Sequence, residues 1–251
     1  MIGDQKTSDS PLLYFIYLLV LKSSEYLTMV SCILVLPCVD PALGRADKSS
    51  FTQCTLLEVV TAGIDSKEDI YQNSEYPCDL EHWMSVNSSP LNTVQSITWP
   101  RRNLECPFSV EWLPMTVDRL NVTQNLLNGF LNLECFPDRM QTVNLSFNRL
   151  TGPVSLLKLP HRFKSPFICW NRFYGTIDVT ALPPHISVVK VEGSDFEGKT
   201  NFSKLPHSLT NFYIGQSRLP GTLIVQPYRQ FGVQKCGVKL LESQDNESII
   251  Q

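Results

Sequence analysis

Histidines and one isolated carboxylate are the residues of this chain whose types could support metal binding or acid–base chemistry. His161 and His207 share one position of a repeated pattern, two periods apart, and His185 is displaced from that position by one residue. Side chains on alternate strands of a sheet lie about 9 to 10 Å apart, too far for one ion to bind both. Asp178 has no second carboxylate at its place in the pattern. We therefore expect neither a metal site nor a cofactor.

Motifs of the common enzyme classes do not occur in the sequence. GxGxxG, GxSxG, HExxH and GxxxxGK[ST], which hold phosphates, nucleophiles or zinc, are all missing. We therefore predict a non-catalytic protein. The alternative is an enzyme, or an enzyme subunit, whose site these motifs do not reveal.

Charge and cysteine content exclude some classes of partner and leave the compartment open. The 251 residues carry 21 Lys and Arg against 24 Asp and Glu, a net charge of -3. Nucleic-acid binding needs a concentrated positive field, so we expect no nucleic-acid partner. The eight cysteines include no CxxC pair. They indicate neither a zinc ribbon nor a disulfide-dense miniprotein.

Two apolar runs near the N-terminus bear on localisation. They cover residues 11 to 21 and 27 to 38, and each is shorter than the roughly 20 residues of a membrane-spanning helix. Their length is typical of a secretory signal, so residues 1–46 are interpreted as a signal peptide or anchor region. The chain is then extracellular or membrane-associated. The alternatives are an interrupted anchor or a buried helix pair, with a cytoplasmic protein. The candidate glycosylation sites are Asn87, Asn121, Asn144, Asn201 and Asn246.

An internal repeat of 23 residues dominates the second half of the chain. It is carried by three columns of residues that stay in phase. Leu-Pro or Phe-Pro pairs begin at 113, 136, 159, 182 and 205, and glycines stand at 129, 152, 175, 198 and 221. The third column comprises Asn125, Asn148, Asn171, Ser194 and Ser217. Residues 90 to 112 form a degenerate first unit, which makes six units from 90 to 227.

Apolar residues two positions apart precede the Asn column in most units. Residues 143 to 152, Val-Asn-Leu-Ser-Phe-Asn-Arg-Leu-Thr-Gly, resemble the Leu-x-Leu-x-x-Asn core of leucine-rich repeats. The Leu-Pro openings and Asn-x-Phe-x-Gly at Asn171 resemble the plant-type and protist (kinetoplastid-type) extracellular repeats of this family.

The resemblance implies an α/β solenoid: a leucine-rich repeat horseshoe with short parallel strands on the concave face and a mostly irregular convex face. Residues 47–89 would form a small helical N-terminal cap, residues 90–227 the repeat domain and residues 228–251 a C-terminal tail. Within the cap, Cys78 to Val86 resembles the Cys-Trp stretch of plant-type caps, with Trp83 as its buried ring and without its second cysteine.

The Asn column predicts a structural ladder, because an amide can both donate to and accept from backbone groups of adjacent turns. Serine can satisfy fewer groups, so we expect a weaker ladder at Ser194 and Ser217. Pro166, which occupies a strand position, should disturb strand pairing. Lys235 and Gly237 occupy the next apolar columns, so we expect the solenoid to end without a cap, which favours self-association through its C-terminal edge.

Function in a solenoid depends on the strand residues that point away from the core. The predicted binding residues of the concave face are Arg119, Asn121, Asn144, Phe167, Lys190, Glu192 and Tyr213. Phe167 and Tyr213 are the candidate aromatic anchors, Trp170 either joins them or fills a turn, and Cys169 is expected to face outward. The sequence thus predicts a secreted or surface-associated binding protein for a protein or glycan ligand. The alternative is an intracellular scaffold or adaptor.

Overall fold

The computed structural model describes residues 48–64, 67–72 and 79–242. In this part of the chain one α-helix, α1 (Gln53–Val60), precedes thirteen short strands. The strands are β1 (Val86–Ser88), β2 (Val94–Thr98), β3 (Arg119–Asn121), β4 (Thr142–Asn144), β5 (Thr151–Pro153), β6 (Ser165–Phe167), β7 (Arg172–Gly175), β8 (Val188–Lys190), β9 (Asp195–Phe196), β10 (Asn211–Tyr213), β11 (Pro220–Val225), β12 (Gln230–Gly232) and β13 (Gly237–Glu242). Single 3-10 turns lie at Lys48–Ser50, Leu80–His82, Val110–Trp112 and Leu133–Cys135. Among the described helices, none has the length and apolar character to cross a membrane.

A long sheet runs along one side of the solenoid in the order β1-β2-β3-β4-β6-β8-β10-β12. From β2 to β10 the neighbours are parallel, and paired residues are 23 positions apart in sequence, as in Ser96 with Arg119 and Asn211 with Val188. The repeat period is therefore the length of one turn, and the predicted parallel-stranded solenoid is confirmed.

The strands β3, β4, β6, β8 and β10 are each three residues long, and only the middle residue of each turns inward. The middle residues Leu120, Val143, Val189 and Phe212 are buried between half-exposed or exposed neighbours. After each strand, Val122, Leu145, Ile168, Val191 and Ile214 fill a second buried column. Stacking of equivalent side chains in successive turns forms the core, so each unit depends on its neighbours for its stability.

In the described residues, turns and short 3-10 helices, rather than α-helices, connect the strands on the other side, with a second sheet in the order β5-β7-β9. Four residues at one repeat position accept a backbone N–H from two residues further on. These residues are Asn132, Ser155, Asp178 and Asn201. Such side-chain turns satisfy the backbone locally where no helix does so. Asp178, the isolated carboxylate of the sequence, is one of these turn residues.

The cap closes the N-terminal edge of the long sheet. Strand β1 pairs antiparallel with β2, and Gln53 of α1 accepts hydrogen bonds at its Oε1 from Val94 N (3.0 Å) and Thr116 Oγ1 (2.9 Å). The contact with Val94 satisfies a backbone N–H at the edge of the first turn.

The asparagine ladder links successive turns through buried amides. Asn148 donates from Nδ2 to Val122 O and Leu145 O, both at 3.0 Å, and accepts at Oδ1 from Leu127 N at 3.1 Å. Asn125 and Asn171 make equivalent bonds. The serines do less: Ser217 donates to Ile214 O at 2.7 Å, and the buried Ser194 Oγ has no hydrogen-bond partner among the described residues.

Pro166, in the middle of β6, weakens strand pairing on one side. Strand β6 pairs with β4 over three residues, but with β8 only at Phe167 and Lys190. Alternate N–H groups of a strand point to the same neighbour, and Ile168 donates to Lys190 O at 2.9 Å. The N–H missing at position 166 would therefore have pointed to β8. The expected disturbance is present on that side.

The solenoid continues past residue 227, where the strict 23-residue count places its end. Asn211 pairs with Gln230 and Tyr213 with Gly232, an interval of 19 residues. Because this turn is four residues shorter, Phe231 and Val233 follow the columns of Phe212 and Ile214, whereas Lys235 and Gly237 lie outside them. Strand β13 then pairs with β11 along six residues. Residues 228–242 are thus part of the solenoid, and a tail after 242 lies outside the described residues.

Candidate functional site

The outward residues of the long sheet form a surface that we call the sheet face. Its central row is formed by the register partners Asn121, Asn144, Phe167, Lys190, Tyr213 and Gly232. Five of these six are predicted binding residues. All five are partly exposed, because the buried middle residue of each strand turns its neighbours outward.

An aromatic cluster occupies the middle of this row. Lys190 Nζ lies 5.4 Å from the centroid of the Phe167 ring and 4.9 Å from that of Tyr213. The lysine on β8 therefore stands between two rings on β6 and β10. An ammonium group over an aromatic face is attracted by the ring quadrupole, typically by about 0.5 to 1 kcal/mol at exposed sites. The cluster presents two apolar rings and a positive charge, which suits a ligand with an apolar group beside an acceptor.

Residues around Tyr213 that sequence reasoning missed hold its ring in place. A Cβ at Gly232 would stand 2.3 Å from Tyr213 Cδ1, so the ring rests against this bare backbone. Gln230 Oε1 accepts from Asn211 Nδ2 at 2.8 Å and lies 3.3 Å from Tyr213 Oη. The Phe231-x-Val233 pair, which repeats the spacing of Phe212 and Ile214, was the sequence signal for this extra strand.

The remaining predicted binding residues lie around the cluster. Asn144 is the register partner of Phe167, and its Oδ1 accepts from Ser146 N at 3.1 Å. Asn121 makes the equivalent bond with Thr123 N at 3.2 Å. Arg119 is exposed on β3, with its Nε 3.2 Å from Asp118 Oδ1. Glu192 follows β8 and is partly exposed. Arg119 and Asn121 are thus two strands away from Phe167.

Cys169 does not face outward as predicted. It is 5% exposed, and its Sγ donates to Ser146 Oγ at 3.1 Å. The reason is that β6 ends at Phe167, so the alternation of the strand no longer applies at position 169. Burial raises the pKa of this thiol.

Phe147 and Trp170 form a second exposed aromatic pair, in the turn after β4 and β6. Their rings stack with centroids 5.8 Å apart and planes 7° from parallel. Both residues have positive φ, 59° and 56°, a conformation that every unit uses at this position and that bulky residues rarely adopt. Trp170 therefore fills the turn rather than joining the sheet-face cluster. Its ring lies against Gly193, where a Cβ would meet Trp170 Cδ2 at 2.7 Å.

The histidines of the repeat are dispersed over exposed positions of the turns before the strands. In residues 48–64, 67–72 and 79–242 no group of three His, Cys, Asp or Glu side chains is arranged to hold a metal ion.

Cysteine chemistry in the cap is limited by burial. Trp83 is buried, its Nε1 donates to Cys54 Sγ at 3.3 Å, and its ring stacks on Trp99. Cys106 is a buried free thiol, and desolvation raises its pKa to about 11. It is therefore protonated at neutral pH and a poor nucleophile. Cys78 of the cap and the candidate glycosylation site Asn246 lie outside the described residues.

Known structures share this architecture. Neither a protein-family model nor a curated protein matches the sequence. Among solved structures, Pollen Receptor Kinase 3 is similar with a TM-score of 0.60 and 18% identity, over 76% of this chain and 96% of that one. A plant ice-binding protein is similar with a TM-score of 0.58 and 15% identity, over 75% and 71%. The BIR3–SERK2 complex from Arabidopsis thaliana contains a chain with a TM-score of 0.51 and 13% identity, over 72% and 97%. The chain has the fold of the plant leucine-rich-repeat solenoids.

Proposed function

We propose that this chain is a non-catalytic binding protein that recognises a protein ligand on the sheet face. The observation that carries the proposal is the cluster of Phe167, Lys190 and Tyr213 on three adjacent strands. Aromatic side chains in partly desolvated positions concentrate binding energy at interfaces. The cluster is also preorganised, because Gly232 and Gln230 hold the Tyr213 ring. Preorganised side chains lose little conformational entropy when a ligand binds.

A protein ligand fits this surface better than a small molecule. The sheet face is a row of short strands rather than an enclosed cavity, and its central row combines amides, rings and a lysine. Such a mixture of aromatic anchors and polar groups is typical of protein interfaces. Among the similar structures, BIR3–SERK2 is by its name a complex of two proteins.

The C-terminal edge supports self-association as a second part of the proposal. Strand β12 ends the long sheet, and Ile224, Leu240 and Leu241 on β11 and β13 are 42%, 43% and 38% exposed. An exposed apolar edge of parallel strands is a template for a second chain.

Replacing both anchors should strongly weaken ligand binding without loss of fold. We expect Phe167→Ala/Tyr213→Ala to weaken the affinity for a captured extracellular protein by about 30- to 1,000-fold, since each anchor contributes about 1 to 2 kcal/mol. The ligand is first isolated with the wild-type chain and identified by mass spectrometry, and its affinity for each variant is then measured by calorimetry.

The matched control is Phe147→Ala/Trp170→Ala, which removes two exposed stacked rings outside the sheet face. This control should retain wild-type affinity. Equal loss in both double variants, or undiminished binding by the first, would contradict the assignment of the sheet face.

We further propose that the protein is secreted or surface-associated. Asn201 of the Asn-Phe-Ser sequence is exposed, so its side chain is accessible to a glycosyltransferase, and its Oδ1 accepts from Ser203 Oγ at 2.7 Å. Expressed in a eukaryotic secretory host, the full chain should shift in gel mobility when Asn-linked glycans are removed. Asn201→Gln should lose one increment of that shift, and Ser203→Ala should lose the same increment. A protein that is retained in the cytosol and unmodified would support the intracellular adaptor instead.

A further inference from the structure

A basic cavity that is open to solvent lies before β4, β6 and β8, and two of these strands, β6 and β8, carry Phe167 and Lys190 of the aromatic cluster. It has a volume of about 230 Å³ and is lined by Gln141, Arg162, Lys164 and His185. Gln141 and Lys164 immediately precede β4 and β6, while Arg162 and His185 occupy one repeat position in successive units. The cavity is therefore built from two columns of the repeat in adjacent turns.

Backbone hydrogen bonds hold the main chain at these residues at the spacing of neighbouring strands. Lys164 N donates to Gln141 O at 2.8 Å, and Ser187 N donates to Lys164 O at 2.8 Å. Neighbouring strands lie about 4.8 Å apart, so the side chains converge on a common volume from adjacent turns. The sheet therefore sets the spacing of the side chains that line the cavity, and no movement of the backbone is needed to bring them together.

The lining carries positive charge and no carboxylate. In the part of the chain that the structure describes, the ion pairs involve Arg119, Arg149, Lys158 and Arg218, and neither Arg162 nor Lys164 takes part in one. The neighbouring carboxylate is that of Asp118, whose Oδ2 is 3.5 Å from Gln141 Nε2 and whose Oδ1 is engaged by Arg119. Arg and Lys side chains have donors and no acceptors. The cavity thus offers several N–H groups to a group that can only accept.

We infer that this cavity binds an oxyanion, a phosphate, sulfate or carboxylate group carried by the ligand of the sheet face. Its volume is below the roughly 300 to 1,000 Å³ of pockets that enclose a whole small ligand. It is therefore a subsite for one anionic group. A guanidinium and an ammonium that share one oxyanion form charge-assisted hydrogen bonds, which are stronger than neutral ones. That the anionic group belongs to a protein ligand rests on the proposed function. Binding of the free anion does not depend on it.

The position of the cavity connects it to the aromatic cluster. Lys164 precedes β6 directly, and Phe167 is the last residue of that strand. A ligand that places an apolar group against the Phe167 ring therefore lies one strand length from the cavity. The two sites together select a ligand with an acidic or phosphorylated group close to an apolar one.

The test is a titration of the full chain with inorganic sulfate, and separately with acetate, at constant ionic strength. Amide NMR spectra should show saturable shifts at Gln141, Lys164 and His185. Arg162→Gln/Lys164→Gln should raise the dissociation constant at least about tenfold, since the anion loses both of its charged donors. The control Arg172→Gln/Lys199→Gln, which removes an exposed arginine and an exposed lysine elsewhere, should bind as the wild type does.

Saturation with sulfate alone would identify a tetrahedral anion, and comparable saturation with acetate would identify a carboxylate. Shifts that do not saturate, or that persist unchanged in the Arg162→Gln/Lys164→Gln variant, would overturn the inference. Amide signals of residues away from the cavity that match the wild type show that the variants fold. Anion binding without any effect of Phe167→Ala/Tyr213→Ala on ligand capture would contradict the proposed function and leave the cavity assignment intact.

Discussion

Trp99→Ala is expected to lower the free energy of unfolding by about 4 kcal/mol, since truncation of a buried aromatic ring costs about 3 to 5 kcal/mol. The Trp99 side chain is fully buried, its Nε1 donates to Met84 O at 2.7 Å, and its ring stacks on Trp83 with centroids 5.9 Å apart. The change therefore leaves a cavity and an unpaired carbonyl where the cap joins the first repeat. In thermal unfolding, Tm should fall by about 10 °C.

Trp170→Ala is the matched control for this substitution. Trp170 is 39% exposed and holds an unfavourable positive φ. Its truncation should change the unfolding free energy by less than about 1 kcal/mol, because little buried area is lost. Equal destabilisation by both substitutions would contradict the attribution of the Trp99 effect to the burial of its ring.

Asn148→Ala is expected to cost about 2 kcal/mol, although Ala fits the space. Leu127 N donates to Asn148 Oδ1 and would lose this partner, whereas Val122 O and Leu145 O would each keep one of two amide donors. A buried polar group left without a partner costs about 1 to 3 kcal/mol. Solvent cannot replace the amide, because Asn148 is only 9% exposed. Chemical denaturation, followed by circular dichroism, measures the loss.

Ser194→Ala is the control for Asn148→Ala, because Ser194 stands in the same repeat column but makes no ladder hydrogen bond. The Ser194 hydroxyl is buried and has no hydrogen-bond partner in the described part of the chain. Its removal should change stability by less than about 0.5 kcal/mol or increase it slightly, since no bond is lost and a desolvated polar group disappears. A loss at Ser194 as large as that at Asn148 would contradict a ladder that weakens toward the C-terminus.

Most of the fold could be predicted because the solenoid is nearly one-dimensional. Each unit contacts its neighbours in sequence, so columns such as Asn125 and Asn148 in the sequence become rows in the structure at the same 23-residue interval. The outward position of Phe167, Lys190 and Tyr213 followed from alternation within a short strand. For the same reason the effect of Pro166 could be located, since the missing N–H of proline acts on the adjacent strand alone.

The two wrong predictions came from extending a periodic pattern past the strand or the turn that produces it. Cys169 was predicted to face outward by continuing the strand alternation past Phe167, where the strand has ended. Lys235 and Gly237 were placed in core columns by continuing a 23-residue period into a turn of 19 residues. A shorter turn still packs, provided that Phe231 and Val233 reach the apolar columns. A fixed 23-residue count cannot predict that the last turn is shorter.

The sequence by itself determined the repeat, its period, the inward columns and the candidate residues of the sheet face, because local patterns and nearest-neighbour stacking generate all of these. The tertiary structure alone decided which outward residues meet. Lys190 lies between Phe167 and Tyr213, Gly232 supports the Tyr213 ring, and Arg162 and Lys164 share a cavity with His185. These contacts join side chains of different turns, and their distances depend on rotamers and strand register, which residue types and spacing leave open.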